Sequence, residues 1–399
     1  MKLLPLFLQN KTKGGFKMKQ FIYLDNAATT KARPEVVEAM LPYFDIRYAN
    51  PSGIYAFSQN VKHEINKARK TLALSINANE DEIFITSGGT ESDNWALKMS
   101  AHEHKGGHII TTKIEHHAIL RTCKYLENTG VEVTYIDTDE YGNVNVSDIV
   151  NAIRKNTFLI SVMTANNEIG TIQPIERIAN IAKQKNILFH TDAVQAYTNL
   201  SIDVKRQNID MLSTSAHKIC GPKGVGFLYI RKGCLSTPFI NGGGQENGMR
   251  AGTENVAGII GFAKAAQIAM SNKRYRISRE IELRNYLINK VLTQIPQSRL
   301  NGSARNRLPN NCSFSFYNVD GATLIAMLDE QGICASAGSA CSSKEKEGSH
   351  VLKAIGLSDE LIHGTVRLTL NEEITKGQID YVVSCLIKDV KELRKLTQM

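Results

Sequence analysis

The sequence predicts an α/β protein: a large domain built on a mostly parallel mixed sheet, followed by a smaller α+β domain at the C-terminal end. Three observations carry this. From about Glu82 to Ile230, short apolar runs rich in β-branched residues alternate with longer amphipathic stretches, which is the pattern of strands joined by crossover helices. After the run "NGGGQENGMRAGTENVAG" that alternation stops, and strands become fewer and differently spaced. The chain is also 399 residues long, 42% hydrophobic and 22% charged, enough for two or three domains with filled cores.

Taken in order, residues 1–17 read as a disordered extension. Their apolar stretch, Leu3 to Leu8, contains Pro5, and no small-residue cleavage site follows it. Met18, just before "FIYLDNAATT", is an alternative start. Residues 18–28 are expected to pack on the small domain, 29–275 to form the large domain and 276–399 the small one. The runs "EIFITS", "HIITTK", "VEVTYID", "FLISVMTA", "ILFHTDA", "MLSTSA" and "VGFLYI" have strand length and composition. Between them, "ESDNWALKMSAHEH", "HAILRTCKYLENTG" and "IERIANIAKQKN" read as helices. A long charged helix is expected from Ile259 to about Gln294, leading into "CSFSFYNV", "ATLIAMLDEQGICAS" and "TVRLTL".

Several function classes are disfavoured. No apolar run reaches the eighteen residues of a membrane helix. The net charge is +9, but Lys2, Lys11, Lys13, Lys17 and Lys19 all precede the first acidic residue, Asp25. No basic block is interleaved with aromatics, so nucleic acid is not the expected ligand. Seven cysteines, Cys123, Cys220, Cys234, Cys312, Cys334, Cys341 and Cys385, form no C-x-x-C pair. That argues against a disulfide framework and a structural zinc site, and fits a reducing cytoplasm.

Ligands of a doubly wound sheet bind beyond the carboxyl ends of its strands, and polar residues gather there. Gly88, Gly89, Thr90 and Glu91 follow the first strand, either as a turn with Thr90 as N-cap or as an anion site. His116 and His117 follow the next. Adjacent residues of a regular helix or strand diverge, so at most one of them should face a pocket. Asn166, Asn167 and Glu168 make a third polar cluster. Asp192, with Gln195 three residues on, ends an apolar strand, where a carboxylate needs a partner. "STSAHKICGPKGVG" then places Ser215, His217 and Lys218 before a glycine-rich turn. A lysine there is a solvated edge residue or a nucleophile. Together with the anion cradle, imidazole and aspartate, it forms the set that pyridoxal phosphate requires: a Schiff-base amine, a partner for the protonated ring nitrogen and a phosphate site.

The motifs "YLDNAATT", "TSGGTESDN", "EHHAIL", "NNEIGTIQPI", "HTDAVQ", "SAHKICGPKGVG", "GGGQENGMRAGTEN" and "ASAGSACSS" run from Ile22 to about Leu370. With them the chain resembles the class V aminotransferase family, with the fold type I of pyridoxal-phosphate-dependent transferases. Within that family it resembles the cysteine desulfurases of the NifS/IscS-like group. The resemblance implies Lys218 as the Schiff-base lysine, Asp192 as the ring-nitrogen partner, and Asn167 and Gln195 around the ring hydroxyl. It implies His116 stacked on the ring and moving protons, and Gly89, Thr90, Ser215 and His217 on the phosphate. Thr253 would come from the partner subunit of a homodimer. Arg367 in "TVRLTL" would grip the carboxylate of L-cysteine bidentately, beside Asn167.

Cys341, between small residues and a polar run, implies the sulfur-accepting nucleophile on a loop. It would yield alanine and a Cys341 persulfide, then pass sulfur to an iron–sulfur scaffold protein or to a tRNA-thiolation acceptor. Against such a scaffold it would be a transient cluster ligand. Another class V enzyme, an aminotransferase or a selenocysteine lyase, would keep Lys218, Asp192 and Arg367 without needing this thiol. The chain departs from the family at Asn371-Glu372-Glu373, where many relatives have Gly-Arg-Phe, and in its first 17 residues. His117 is left without a role.

Overall fold

The computed structural model describes residues 21–337 and 348–397. Cys341 and the N-terminal extension expected at residues 1–17 lie outside the described residues. The chain begins with a two-residue strand, β1 (Ile22–Tyr23), and then builds a seven-stranded sheet. Its strands are β2 (Ile83–Thr86), β3 (His108–Thr112), β4 (Glu132–Ile136), β5 (Thr157–Ser161), β6 (Leu188–Asp192), β7 (Met211–Ser213) and β8 (Gly226–Ile230).

The order is β2-β8-β7-β6-β5-β3-β4. All pairings are parallel except those of β8, which runs antiparallel to both β2 and β7. Central strands such as β3, β5 and β8 are buried along their whole length. That is why they read as apolar runs rather than as alternating ones. Neighbouring residues supply opposite faces. Ile109 and Leu159 join the core around Trp95 and Phe84, whereas Ile110 and Ile160 join the core around Phe189, Phe227 and Phe262. Trp95 is fully buried on the helix Gly89–Glu103 and stacks on Phe239 with ring centroids 5.6 Å apart.

The long charged helix expected from Ile259 to Gln294 is two helices, Val256–Ser271 and Lys273–Gln294, broken at Asn272. Asn272 takes non-helical angles (φ −105°, ψ 10°), a conformation its short polar side chain tolerates. The first helix is apolar and small-residued, so it packs closely: a Cβ on Gly261 would come within 2.6 Å of the Met40 sulfur. The second buries Leu283, Leu287 and Val291 together with three charged residues, Arg276, Glu280 and Arg284.

Those leucines meet a second sheet, β12-β10-β9, made of β9 (Ser298–Leu300), β10 (Asn311–Phe316) and β12 (Thr365–Thr369), all antiparallel. β1 pairs in parallel with β11 (Ile333–Cys334), and Ile22 and Leu24 enter the same core as Phe314 and Leu368. From that core, residues 25–30 cross to the large sheet as a strap. Asn26 Nδ2 donates to the Thr369 carbonyl at 2.7 Å, Ala27 N to Thr369 Oγ1 at 2.9 Å, and Thr30 N to the His217 carbonyl at 2.9 Å. Asn371-Glu372-Glu373 finds its place beside the strap, where Glu372 pairs with Arg33.

β7 and β8 meet the glycine-rich turn at Gly226. A Cβ there would collide with the Thr214 carbonyl oxygen and lie 2.8 Å from Gly88 Cα. Both neighbours are backbone and cannot step aside. Gly226→Ala is therefore expected to lose roughly 1–3 kcal/mol of stability through overpacking, read as a lower urea midpoint with unchanged slope.

Candidate active site

The carboxyl ends of β2, β3, β5, β6 and β7 converge with the strap and β12 around one cavity of about 290 Å³, close to the lower end of the range for small-molecule sites. One part of its wall is made by the first turn of the helix Gly89–Glu103. Gly88, not Thr90, stands at the cap: its φ of +147° suits glycine, and Thr90 lies inside the first turn. A Cβ on Gly89 would come within 2.6 Å of Val194 Cγ2, so the bare backbone is what keeps this wall open. Helix starts leave N–H groups unpaired, and Ser215 and His217 face them across the cavity. His217 Nδ1 lies 3.2 Å from Thr29 Oγ1, and burial beside Lys218 and Lys223 lowers its pKa to about 4.

After β3, His116 caps the helix His117–Glu127, its Nδ1 accepting from Ala118 N at 3.1 Å. The ring proton is thereby assigned to Nε2. Burial, with Lys218 nearby, drops its pKa to about 4, leaving a neutral imidazole. His117 also borders the cavity and packs against His350 with ring centroids 4.6 Å apart. The expectation that only one of the pair could face a pocket fails because His116 is extended (φ −62°, ψ 149°), outside regular helix.

After β5, it is Asn166 that builds the turn, accepting from Glu168 N and Ile169 N at 2.8 and 3.0 Å. That leaves Asn167 on the cavity wall, where its carbonyl accepts from Arg367 Nη1 at 3.1 Å. After β6, Asp192 Oδ1 accepts from Val194 N at 2.8 Å. Burial pushes its pKa up to about 6, against the pull of that N–H and of Lys218. Gln195 Nε2 donates to the Ala27 carbonyl at 3.0 Å.

After β7, a single 3₁₀ turn, Ala216–Lys218, swings Lys218 inward. Its Nζ donates to the carbonyls of Ala27 and Ala28 at 2.5 and 2.8 Å. At the opposite wall Arg367, 2% exposed, donates through Nη2 to Asp25 Oδ1 at 2.8 Å. Gly89, Thr90, His116, Asn167, Asp192, Gln195, Ser215, His217, Lys218 and Arg367 therefore border one cavity. Thr253 does not: it is exposed and outside that wall. Sequence reasoning missed Asp93 and Asp25. Asp93 sits one turn beyond Gly89, a spacing that puts both on one helix face.

The donor set fits pyridoxal phosphate. A lysine amine, a buried aspartate, a neutral imidazole and a glycine-opened helix start surround one space. Among the described residues no cluster of three His, Cys, Asp or Glu could hold a metal, and no helix is long and apolar enough to cross a membrane.

A fold type I sheet with this site at its strand ends defines a pyridoxal-phosphate-dependent enzyme. The chain belongs to the class-V aminotransferase family, whose profile matches residues 22–382. It is 51% identical to the cysteine desulfurase IscS of Clostridium botulinum strain Hall over 386 residues, 96% of this chain and 97% of that one. It is 50% identical to the cysteine desulfurase IscS of Methanosarcina thermophila over 380 residues, 95% of this chain and 94% of that one. Among solved structures, a NifS-like protein superposes with a TM-score of 0.86 at 36% identity, covering 95% of this chain and all of that one. A structure of SspA in complex with cysteine matches with a TM-score of 0.78 at 37% identity, covering 88% and 98%.

The lowered histidine gives a pH prediction. Between pH 6.5 and about 4 the unfolded chain binds a proton that folded His116 does not, so acidification through that window favours unfolding. In ¹⁵N-histidine spectra of the folded protein, His116 should keep the Nε2-protonated neutral form down to about pH 4. A midpoint near 6.5 would refute the assignment.

Proposed function

We propose that this protein is a cysteine desulfurase that converts L-cysteine to L-alanine and takes the sulfur onto Cys341 as a persulfide. The observation that carries the reading is the convergence of Lys218, Asp192, His116 and Arg367 on one cavity, in a chain half identical to curated cysteine desulfurases. When bound, pyridoxal phosphate supplies an electron sink for charge developed at the substrate α-carbon.

The chain's own residues do the rest. The helix start at Gly89 and Thr90, with Ser215 and His217, would hold the phosphate, and Asp192 would keep the proton on the ring nitrogen. His116 would offer the ring a flat neutral face and a proton on Nε2, and Gln195 and Asn167 would be the partners of the ring hydroxyl. Arg367 receives the α-carboxylate through its planar fork, a bidentate geometry that lysine cannot reproduce. Lys218 Nζ, held against the Ala27 and Ala28 carbonyls, is placed to move protons at the substrate α-carbon.

The sulfur step balances without an external oxidant: the Cys341 thiol and L-cysteine give the Cys341 persulfide and L-alanine. The substrate C–S bond breaks and an S–S bond forms, while the carbon skeleton takes up the proton. The persulfide then passes its outer sulfur to an iron–sulfur scaffold or a tRNA-thiolation acceptor, in the cytoplasm. We read the working unit as a homodimer. Two features support this: Thr253, placed by resemblance at a cofactor site, is absent from its own chain's cavity wall, and Phe44, Tyr48, Ile54 and Tyr55 form an exposed apolar stretch.

Alanine formation and visible absorbance, read together, test this. Wild type should be yellow and active, and Cys341→Ser yellow but inactive with L-cysteine. Lys218→Ala should lose both the Schiff-base absorbance and activity. If Cys341→Ser still makes alanine and releases sulfur at the wild-type rate, the protein is another class V enzyme. Arg367→Lys should raise KM for cysteine by roughly tenfold or more through loss of the bidentate contact, with a smaller change in kcat.

A further inference from the structure

One carboxyl at the cavity is unused by this chemistry. Asp93 lies on the helix Gly89–Glu103, is 1% exposed and borders the cavity beside Asp192. Its Oδ1 has no hydrogen-bond partner. The nearest cation-capable group is His190 Nε2, 3.7 Å away. That ring supplies no charge: Nδ1 and Nε2 lie 2.9 Å from Ser161 Oγ and Ser213 Oγ, and burial lowers its pKa to about 3.

His190 and Asp192 are two apart on β6 and so project to the same face, with Ser213 opposite Asp192 on β7. The other titratable groups acting on Asp93 are Asp192 itself and Glu115 beyond β3. Glu115 is completely buried, and its pKa is raised to about 8.

Two buried carboxylates that share a site do not readily ionise together. Their surroundings decide which one keeps the proton. Asp192 has a backbone N–H at 2.8 Å and the nearby charge of Lys218. Asp93 has only the Ser213 hydroxyl in its favour, and burial and the Asp192 charge both push its pKa well up.

We propose that Asp93 is the neutral partner of Asp192, so that the two carboxyls carry a single negative charge against a single protonated ring nitrogen, and that Asp93 is the reserve counter-charge when Asp192 is lost. The proposal rests on the reading of the cavity as a pyridoxal phosphate site. While Asp192 is present, Asp93 acts only through it and is a positioning residue; it answers the ring nitrogen itself only in a variant that lacks Asp192.

The test is a double-mutant cycle on cofactor affinity, with the apo protein titrated with pyridoxal phosphate and followed by absorbance. Asp93→Asn, which is isosteric and neutral, should weaken binding no more than about twofold. Asp192→Asn should weaken it at least about tenfold, as expected for losing a charge-assisted hydrogen bond. The double variant should weaken it about tenfold beyond the product of the two, because no carboxylate remains to ionise. An additive cycle, or Asp93→Asn as damaging as Asp192→Asn, overturns the proposal.

Infrared difference spectra of apo wild type and Asp93→Asn at pH 7 give a reading that needs neither cofactor nor the Asp192 variant. A protonated carboxylic acid band present only in wild type is expected. Loss of a carboxylate band instead would refute it. If wild type itself binds no pyridoxal phosphate, the reading of the cavity fails with it. If wild type binds but the cycle is additive, only the role of Asp93 falls.

Discussion

The strap at residues 25–30 is the element on which the site depends. Its backbone carbonyls at Ala27 and Ala28 hold the ammonium of Lys218, its Asp25 holds the guanidinium of Arg367, and its Thr29 and Thr30 bond His217. Hydrogen bonds to charged groups are worth about 1.5–3 kcal/mol each, so the contacts to Lys218 and Arg367 tie the strap down firmly. Because the strap is also anchored on Thr369, the Lys218 amine and the Arg367 guanidinium are set at a fixed span by one piece of chain. The ion pair between Arg33 and Glu372 continues the same seam. This gives the unusual Asn371-Glu372-Glu373 sequence a structural account: its acidic residue answers the basic residue just past the strap.

Burial then sorts the charges. The imidazoles of His116, His190 and His217 are driven neutral, while the carboxyls of Glu115 and Asp192 are driven upward. Both trends have one cause, the cost of keeping charge in a space shielded from water. Ion pairs stand where partners are built for them: Arg367 against Asp25, and Glu91 against Arg250 at the start of the helix that opens the cavity. A site arranged in this way lines much of its wall with neutral imidazoles and keeps its ion pairs at the edges.

Much of this was legible in the sequence, for a physical reason. Central strands are buried on both faces and announce themselves as apolar runs, and the residues just after β2, β3, β5, β6 and β7 reach the cavity. Lys218, Asp192, Asn167 and His116 were all found in that way. What escaped depends on geometry that no run reveals. Asp93 enters from a helix, one turn past a glycine, and Asp25 from a strap whose path is set by a distant sheet. The break at Asn272 was hidden because helical periodicity survives a one-residue joint. The joint histidine wall arose because one residue of the pair lies outside regular helix.

The chain has one tryptophan, and its position has a practical consequence. Trp95 is packed between Phe84 and Phe239 two residues beyond Asp93, on the helix whose first turn borders the cavity. All indole emission from the protein therefore originates at a single rigid point near the ligand. The molecule carries its own optical gauge: donor light from that one ring can be followed as the neighbouring space fills or empties, with no label added and no second fluorophore of its kind to subtract.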